Sequence, residues 1–186
     1  MDGDRLRREG YLFLAGFALC IPAANWLIGN AGTECIPDGP CLIPVWPGLT
    51  APSGVLMIGL ALVLRDLVQR RLGAKFVLGA IIAGAALSAF LAPPALVVAS
   101  GAAFLLSELA DFAVYTPLQR RRLVLAVFLS GLVGLVIDSA VFLYLAFGSL
   151  DYLAGQIVGK AWMVVFSLPL IAWLRARDER LGIEAV

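Results

Sequence analysis

Leu123 to Phe147 reads LVLAVFLSGLVGLVIDSAVFLYLAF, 25 consecutive residues with a single charge, Asp138. As a helix this run is about 37 Å long at 1.5 Å per residue, more than the roughly 30 Å hydrocarbon core of a bilayer. It reads as a membrane span that carries an acid at depth. Five further stretches resemble it, so the sequence predicts helices at approximately 11–28, 49–67, 75–92, 95–116, 123–147 and 153–174, the second being the least apolar. The whole chain agrees: 186 residues, 61% apolar, 15% charged, mean hydropathy +0.95, outside the range of ordinary soluble domains. The expected fold is an all-α integral membrane protein, one domain over residues 1–186, a bundle of six transmembrane helices. The first run, Tyr11 to Ile28, lacks a small-residue cleavage site and reads as a retained helix.

The connections between spans are short and marked by breakers: Gly29 to Gly48 with four prolines, Pro93-Pro94, Arg120-Arg121-Arg122, and Gly148 to Asp151. Lys and Arg mark cytoplasmic loops. Thirteen of the 14 bases fall on one side: Arg5, Arg7, Arg8; Arg65, Arg70, Arg71, Lys75; Arg120 to Arg122; and Arg175, Arg177, Arg180. Both termini are therefore expected in the cytoplasm of a prokaryotic cell, the protein sitting in its plasma membrane. The longest opposite loop holds Glu34, Asp38, Cys35 and Cys41 and faces outside, where the two cysteines are either bridged or free.

Several function classes drop out. With 14 basic against 13 acidic residues, no nucleic-acid surface is expected. No histidine is present, which removes the commonest metal ligand and general base. The cysteines Cys20, Cys35 and Cys41 form neither a CxxC pair nor a zinc pattern. No metal, no cofactor and no enzymatic activity are expected.

Lys160, the fourteenth base, lies inside helix 6. Helix 4 carries Ser107-Glu108-Leu109-Ala110-Asp111, helix 5 carries Asp138-Ser139, and helix 6 carries Gln156 and Lys160. Charges at membrane depth are costly and usually face a bundle interior or wet cavity. Glu108 and Asp111 share a helical face bordered by Phe104 and Tyr115. Ser130, Gly134 and Asp138 recur every four residues on helix 5. Lys160 reads either as a structural neutraliser of one carboxylate or as part of a binding site. Three acids and one ammonium leave a formal −2, so protonation, a cation or a donor-rich substrate is needed. Gly155-x-x-x-Gly159 reads as a close-packing motif. Trp26, Trp46 and Trp173 read as interface anchors, while Trp162, next but one to Lys160, is a candidate for the site.

The residues resemble the vitamin uptake transporter (VUT) family, associated with uptake of queuosine precursors. The resemblance rests on Ala24-Asn25-Trp26-Leu27, on Arg65-Asp66 followed by Gly73, and on Ser107 to Asp111. It continues through Ile137-Asp138-Ser139 with Ala146-Phe147, and Lys160 before Ser167-Leu168-Pro169. It implies import of 7-cyano-7-deazaguanine or a related 7-deazapurine, with Asn25, Glu108, Asp111, Asp138 and Lys160 at the site. In chemical terms Glu108 accepts adjacent N–H donors of a guanine-like edge, Phe104 or Trp162 stacks on the ring, Lys160 donates to the ring carbonyl, and Gln156 lies on the same face. Asp66 with Arg65 sits at the cytoplasmic end of helix 2, either as a surface ion pair with Arg70 or as a gating or coupling pair. The expected partners are this small molecule and the lipid bilayer, with self-association left open. The alternative function is a substrate-capture subunit for a vitamin or nucleobase that needs a separate energising module, docking through small residues such as Ala85 and Ala89.

Overall fold

The structure is a computed structural model and describes residues 2–37, 39–92 and 96–183; Asp38 and the Pro93-Pro94 turn lie outside them. Helix α1 (Asp2–Asn30) is followed by strands β1 (Glu34–Cys35), β2 (Cys41–Trp46) and β3 (Leu49–Pro52). Then come α2 (Val55–Leu72), α3 (Ala74–Leu91), α4 (Val97–Leu118), α5 (Leu123–Phe147) and α6 (Leu153–Leu181).

The distribution of polarity is inverted relative to a protein in water. Phe90, Val98 and Leu12 are 85%, 75% and 71% exposed on the outside, whereas Arg65, Asp66 and Asp111 are 0% exposed within. Only an apolar solvent makes that arrangement favourable, because lipid takes the outer side chains at no cost while buried ions need one another. All the described helices except α2 are long and apolar enough to cross a membrane. Helix α2 carries Arg65, Asp66, Arg70 and Arg71 within 18 residues, and it is shielded from the exterior by α1 on one side and α6 on another.

Two departures from the sequence reading concern the first connection. Gly29–Gly48 reads as an irregular loop, but Glu34–Cys35 and Cys41–Trp46 within it join Leu49–Pro52 in an antiparallel sheet of order β1-β2-β3. Leu42 pairs with Pro52, Ile43 with Ala51 and Pro44 with Thr50. Leu49–Pro52 is thus a strand, which moves the start of α2 from 49 to Val55 and its end from 67 to Leu72. The apolar character of Leu49-Thr50-Ala51-Pro52 suits a strand packed on a bundle as well as a helix, and Pro52 occupies a strand edge where its missing N–H is harmless. The sheet is pinned by a Cys35–Cys41 disulfide and by Ser53 Oγ donating to the Leu27 carbonyl at 2.7 Å. Helix α6 also continues past residue 174 to Leu181. The Gly155/Gly159 pair lets α6 approach closely, packing on this sheet and on the start of α2. A Cβ at Gly155 would collide with the Thr50 carbonyl, and one at Gly159 would lie 2.6 Å from Val55.

Helices α2 and α3 join through Gly73 alone, whose φ of 89° and ψ of 164° fall in a region essentially restricted to glycine. This hairpin end of the bundle also holds the start of α1 and the end of α6. Glu9 of α1 accepts hydrogen bonds from Arg71 of α2 and from Arg177 of α6. Asp178 of α6 is bonded by Arg70 and Arg71. The chain's beginning and end therefore meet at one end of the bundle, with the sheet at the other.

Candidate functional site

Polar side chains form three successive layers along the bundle. The first lies beside the sheet and opens to a cavity of about 80 Å³. Its walls come from all six helices: Asn25 of α1, Ile58 of α2, Ser88 of α3, Ser100 and Phe104 of α4, Asp138 and Phe142 of α5, and Gln156 and Lys160 of α6, with Pro52 at the rim. Lys160 Nζ donates to Asp138 Oδ2 at 2.6 Å, to Gln156 Oε1 at 2.7 Å and to Ser139 Oγ at 2.8 Å. An ammonium has three N–H groups, and all are taken. Gln156 sits four residues before Lys160, one turn away on the same helical face, which is why one helix supplies both. Asn25 Nδ2 donates one N–H to the Ile21 carbonyl at 3.0 Å, which leaves its second N–H and its amide oxygen for other partners. Asp138 Oδ1 receives no hydrogen bond among the described residues, leaving one carboxylate oxygen held and the other open.

The second layer is sealed. Arg65 of α2 donates Nε to Glu108 Oε2 at 2.9 Å and Nη2 to Asp111 Oδ1 at 2.5 Å and to the Glu108 carbonyl at 3.3 Å. Its Nη1 lies 2.8 Å from Asp66 Oδ1 and 3.3 Å from Gln69 Oε1, and the guanidinium carbon stands 5.9 Å from the Tyr115 ring centre. Ser130 Oγ of α5 donates to Asp66 Oδ2 at 3.0 Å. Arginine suits this position because its rigid fork reaches several acids at once. The third layer is the Glu9, Arg70, Arg71, Arg177 and Asp178 network that closes the hairpin end.

Of the residues singled out in the sequence, Asn25, Phe104, Asp138, Gln156 and Lys160 line the cavity. Glu108 and Asp111 do not; they are 2% and 0% exposed and committed to Arg65. Trp162 also stands away from it: its Nε1 donates to the Val45 carbonyl at 2.9 Å, and its ring stacks 6.1 Å from Trp46 and 5.3 Å from Phe166. The indole fastens strand β2 to α6. The surface pair of Asp66 with Arg70 is corrected: Asp66 is fully buried and Arg70 binds Asp178 instead. Arg65 and Asp66 thus join Glu108, Asp111, Asp138 and Lys160 as charges buried inside the bundle. The sequence singles them out as a candidate gating or coupling pair but misses their burial, because ending the helix at 67 instead of Leu72 puts them at a cytoplasmic boundary. Ser88 and Ser100 enter the cavity wall without any signal beyond their being polar in apolar helices.

Residues 86–174, from the second half of α3 through most of α6, match the family model described as "Putative vitamin uptake transporter". That stretch contains Glu108, Asp111, Asp138, Gln156 and Lys160, and excludes Asn25, Arg65 and Asp66. Among curated proteins and among solved structures nothing matches the chain.

Proposed function

Residues 86–174 assign this chain to the vitamin uptake transporter family, and from that premise we propose that it imports a flat, donor-rich heterocycle of the 7-deazapurine class through the cavity beside the sheet. The observation that carries the reading is Asp138, which lines the cavity with one oxygen fixed by Lys160 and the other without a hydrogen bond among the described residues. A fixed carboxylate with a free oxygen accepts the N–H donors of a guanine-like edge by charge-assisted hydrogen bonds. The Phe104 ring supplies a flat apolar wall, and the Asn25 amide and the Ser88 and Ser100 hydroxyls supply further polar contacts. In this arrangement Asp138, rather than Glu108, is the acceptor, and Glu108 and Asp111 hold the floor through Arg65. Lys160 supports the site by orienting Asp138 and Gln156.

The same reading takes α2 as a sixth crossing, with both chain ends and the third layer in the cytoplasm, since the arginine excess lies there. The cavity then opens outward, and the Glu9–Arg177 and Arg71–Asp178 pairs close the inner side, the two faces that alternating access exchanges. An autonomous importer is favoured over a capture subunit. The small-residue stripe of α3 is already in use: a Cβ on Gly101 of α4 would lie 3.2 Å from Ala89.

The test is thermal stabilisation of the purified protein by a panel of 7-deazaguanines, purines and small vitamins. Stabilisation by 7-cyano-7-deazaguanine or 7-aminomethyl-7-deazaguanine, lost in Asp138→Asn and retained in Trp162→Phe, is the expected result. A panel in which no deazapurine stabilises the protein overturns the substrate.

A further inference from the structure

We propose that Asp66 and Asp111 hold one proton between their carboxyl groups, in the sealed layer behind the cavity, and that the chain exchanges this proton as it carries its substrate. The second half rests on the transport reading above; the first does not.

Both residues are 0% exposed. Each carboxyl has one oxygen with a partner: Asp111 Oδ1 takes Arg65 Nη2, and Asp66 Oδ2 takes Ser130 Oγ. The other two oxygens, Asp66 Oδ1 and Asp111 Oδ2, are buried and accept no hydrogen bond, although Asp66 Oδ1 lies in ion-pair range of Arg65. The two carboxyl groups sit against the two ends of one guanidinium: Arg65 Nη1 lies 2.8 Å from Asp66 Oδ1 and Nη2 lies 2.5 Å from Asp111 Oδ1. Buried polar atoms are almost always satisfied, and an acceptor-only group is satisfied only by a donor. Between two carboxylates the missing donor is a proton, as in any carboxyl pair that shares a site.

Charge arithmetic points the same way. Arg65 is the cation of this layer and faces three acids, Asp66, Glu108 and Asp111, which gives 1 − 3 = −2 if all are ionised. Lys160 brings no relief, because Asp138 already cancels it. The groups facing the pair are few: Arg65 and Gln69 from α2, Glu108 and the Tyr115 phenol from α4, Ser130 from α5, and the neutral Lys160–Asp138 pair of α5 and α6 nearer the cavity. A shared proton halves the excess. A metal ion fits poorly, since the acids converge on a guanidinium and no group of three among the described residues is arranged to hold one. Helix α5 also closes in: a Cβ on Gly134 would lie 3.2 Å from Asp111 Oδ2.

The position suits exchange. On α2 the cavity-lining Ile58, the Arg65–Asp66 pair and the closing Arg70–Arg71 pair follow each other at steps of roughly 10 and 8 Å. A movement of α2 that opened the hairpin end would carry Asp66 away from Asp111 and release the proton inward.

Infrared spectroscopy of the purified protein without substrate reads the pair directly. A protonated-carboxyl band at neutral pH, shifted in D₂O, is expected in the parent protein. It should disappear in Asp66→Asn and in Asp111→Asn and persist in Glu108→Gln. Each asparagine keeps a donor facing the remaining carboxylate, so both variants should fold, as their melting curves will show. In vesicles, accumulation of 7-cyano-7-deazaguanine should rise about tenfold for each pH unit of inward-directed proton gradient if one proton accompanies one substrate. That rise should vanish with protonophore and in either asparagine variant. Absence of the band, its loss in Glu108→Gln alone, or accumulation indifferent to the proton gradient each overturns the proposal. Because the band needs no ligand, failure of every deazapurine to bind would overturn the substrate, while the spectrum alone would still uphold or overturn the shared proton.

Discussion

Arg65 decides more of this molecule than any other single side chain. It is fully buried, reaches Asp66, Glu108 and Asp111, and so ties α2 to α4. Removing one partner of a buried ionic network strands the others, at a cost of about 3–5 kcal/mol. Arg65→Met should therefore lower stability by that order in detergent unfolding. Adding Glu108→Gln and Asp111→Asn to it should recover most of the loss, because neutral amides need no counter-ion. At Asp138 the effect falls on binding as well as on stability, since Lys160 loses its counter-ion. A charge-assisted hydrogen bond contributes about 1.5–3 kcal/mol, so Asp138→Asn should weaken deazapurine binding by roughly ten- to a hundredfold in a direct titration, while Gln156 and Ser139 still hold Lys160. Equal binding by parent and variant would remove Asp138 from the site.

At the level of elements, the α2–α3 hairpin and the sheet are the sensitive joints. Gly73 adopts a backbone conformation that costs other residues about 1–3 kcal/mol. Gly73→Ala should destabilise by that amount and disturb the adjacent Arg70–Arg71 contacts with Asp178, measurable as a lowered melting temperature. The disulfide closes a loop of only a few residues around the β1–β2 turn, for which chain entropy gives about 2 kcal/mol. Reduction, or Cys35→Ser with Cys41→Ser, should loosen the cavity rim while leaving the helices intact. The expected reading is weaker ligand binding with unchanged helical circular dichroism.

Across the whole molecule, the beginning of α1 and the end of α6 are joined through Glu9 and Arg177, with oxygen–nitrogen distances of 2.7 and 2.8 Å. If this junction is the inner gate, cross-linking Glu9→Cys to Arg177→Cys should block uptake into vesicles and preserve binding of ligand from outside. A cross-linked protein that still transports would show that this end does not open. The two cysteines should also react with a membrane-impermeant thiol reagent only from the cytoplasmic side.

Composition, hydropathy and the one-sided arginine pattern were enough to determine that this chain belongs in a bilayer, because they depend on solvent and on span length and hardly on which helices touch. The polar residues at depth were legible for the same reason: Asp138 and Lys160 stand out against a run of apolar neighbours. Which charges meet was decided only by the tertiary structure. Leu49–Pro52 is a strand because β2 lies beside it, and that shift carries Arg65 and Asp66 from an apparent boundary into the core. Glu108 looked free in its helix and is bound by an arginine 43 residues away, while Asp138 lines the cavity. Ion pairing at depth follows from distance in space between helices, and period and composition along one helix contain no record of that distance.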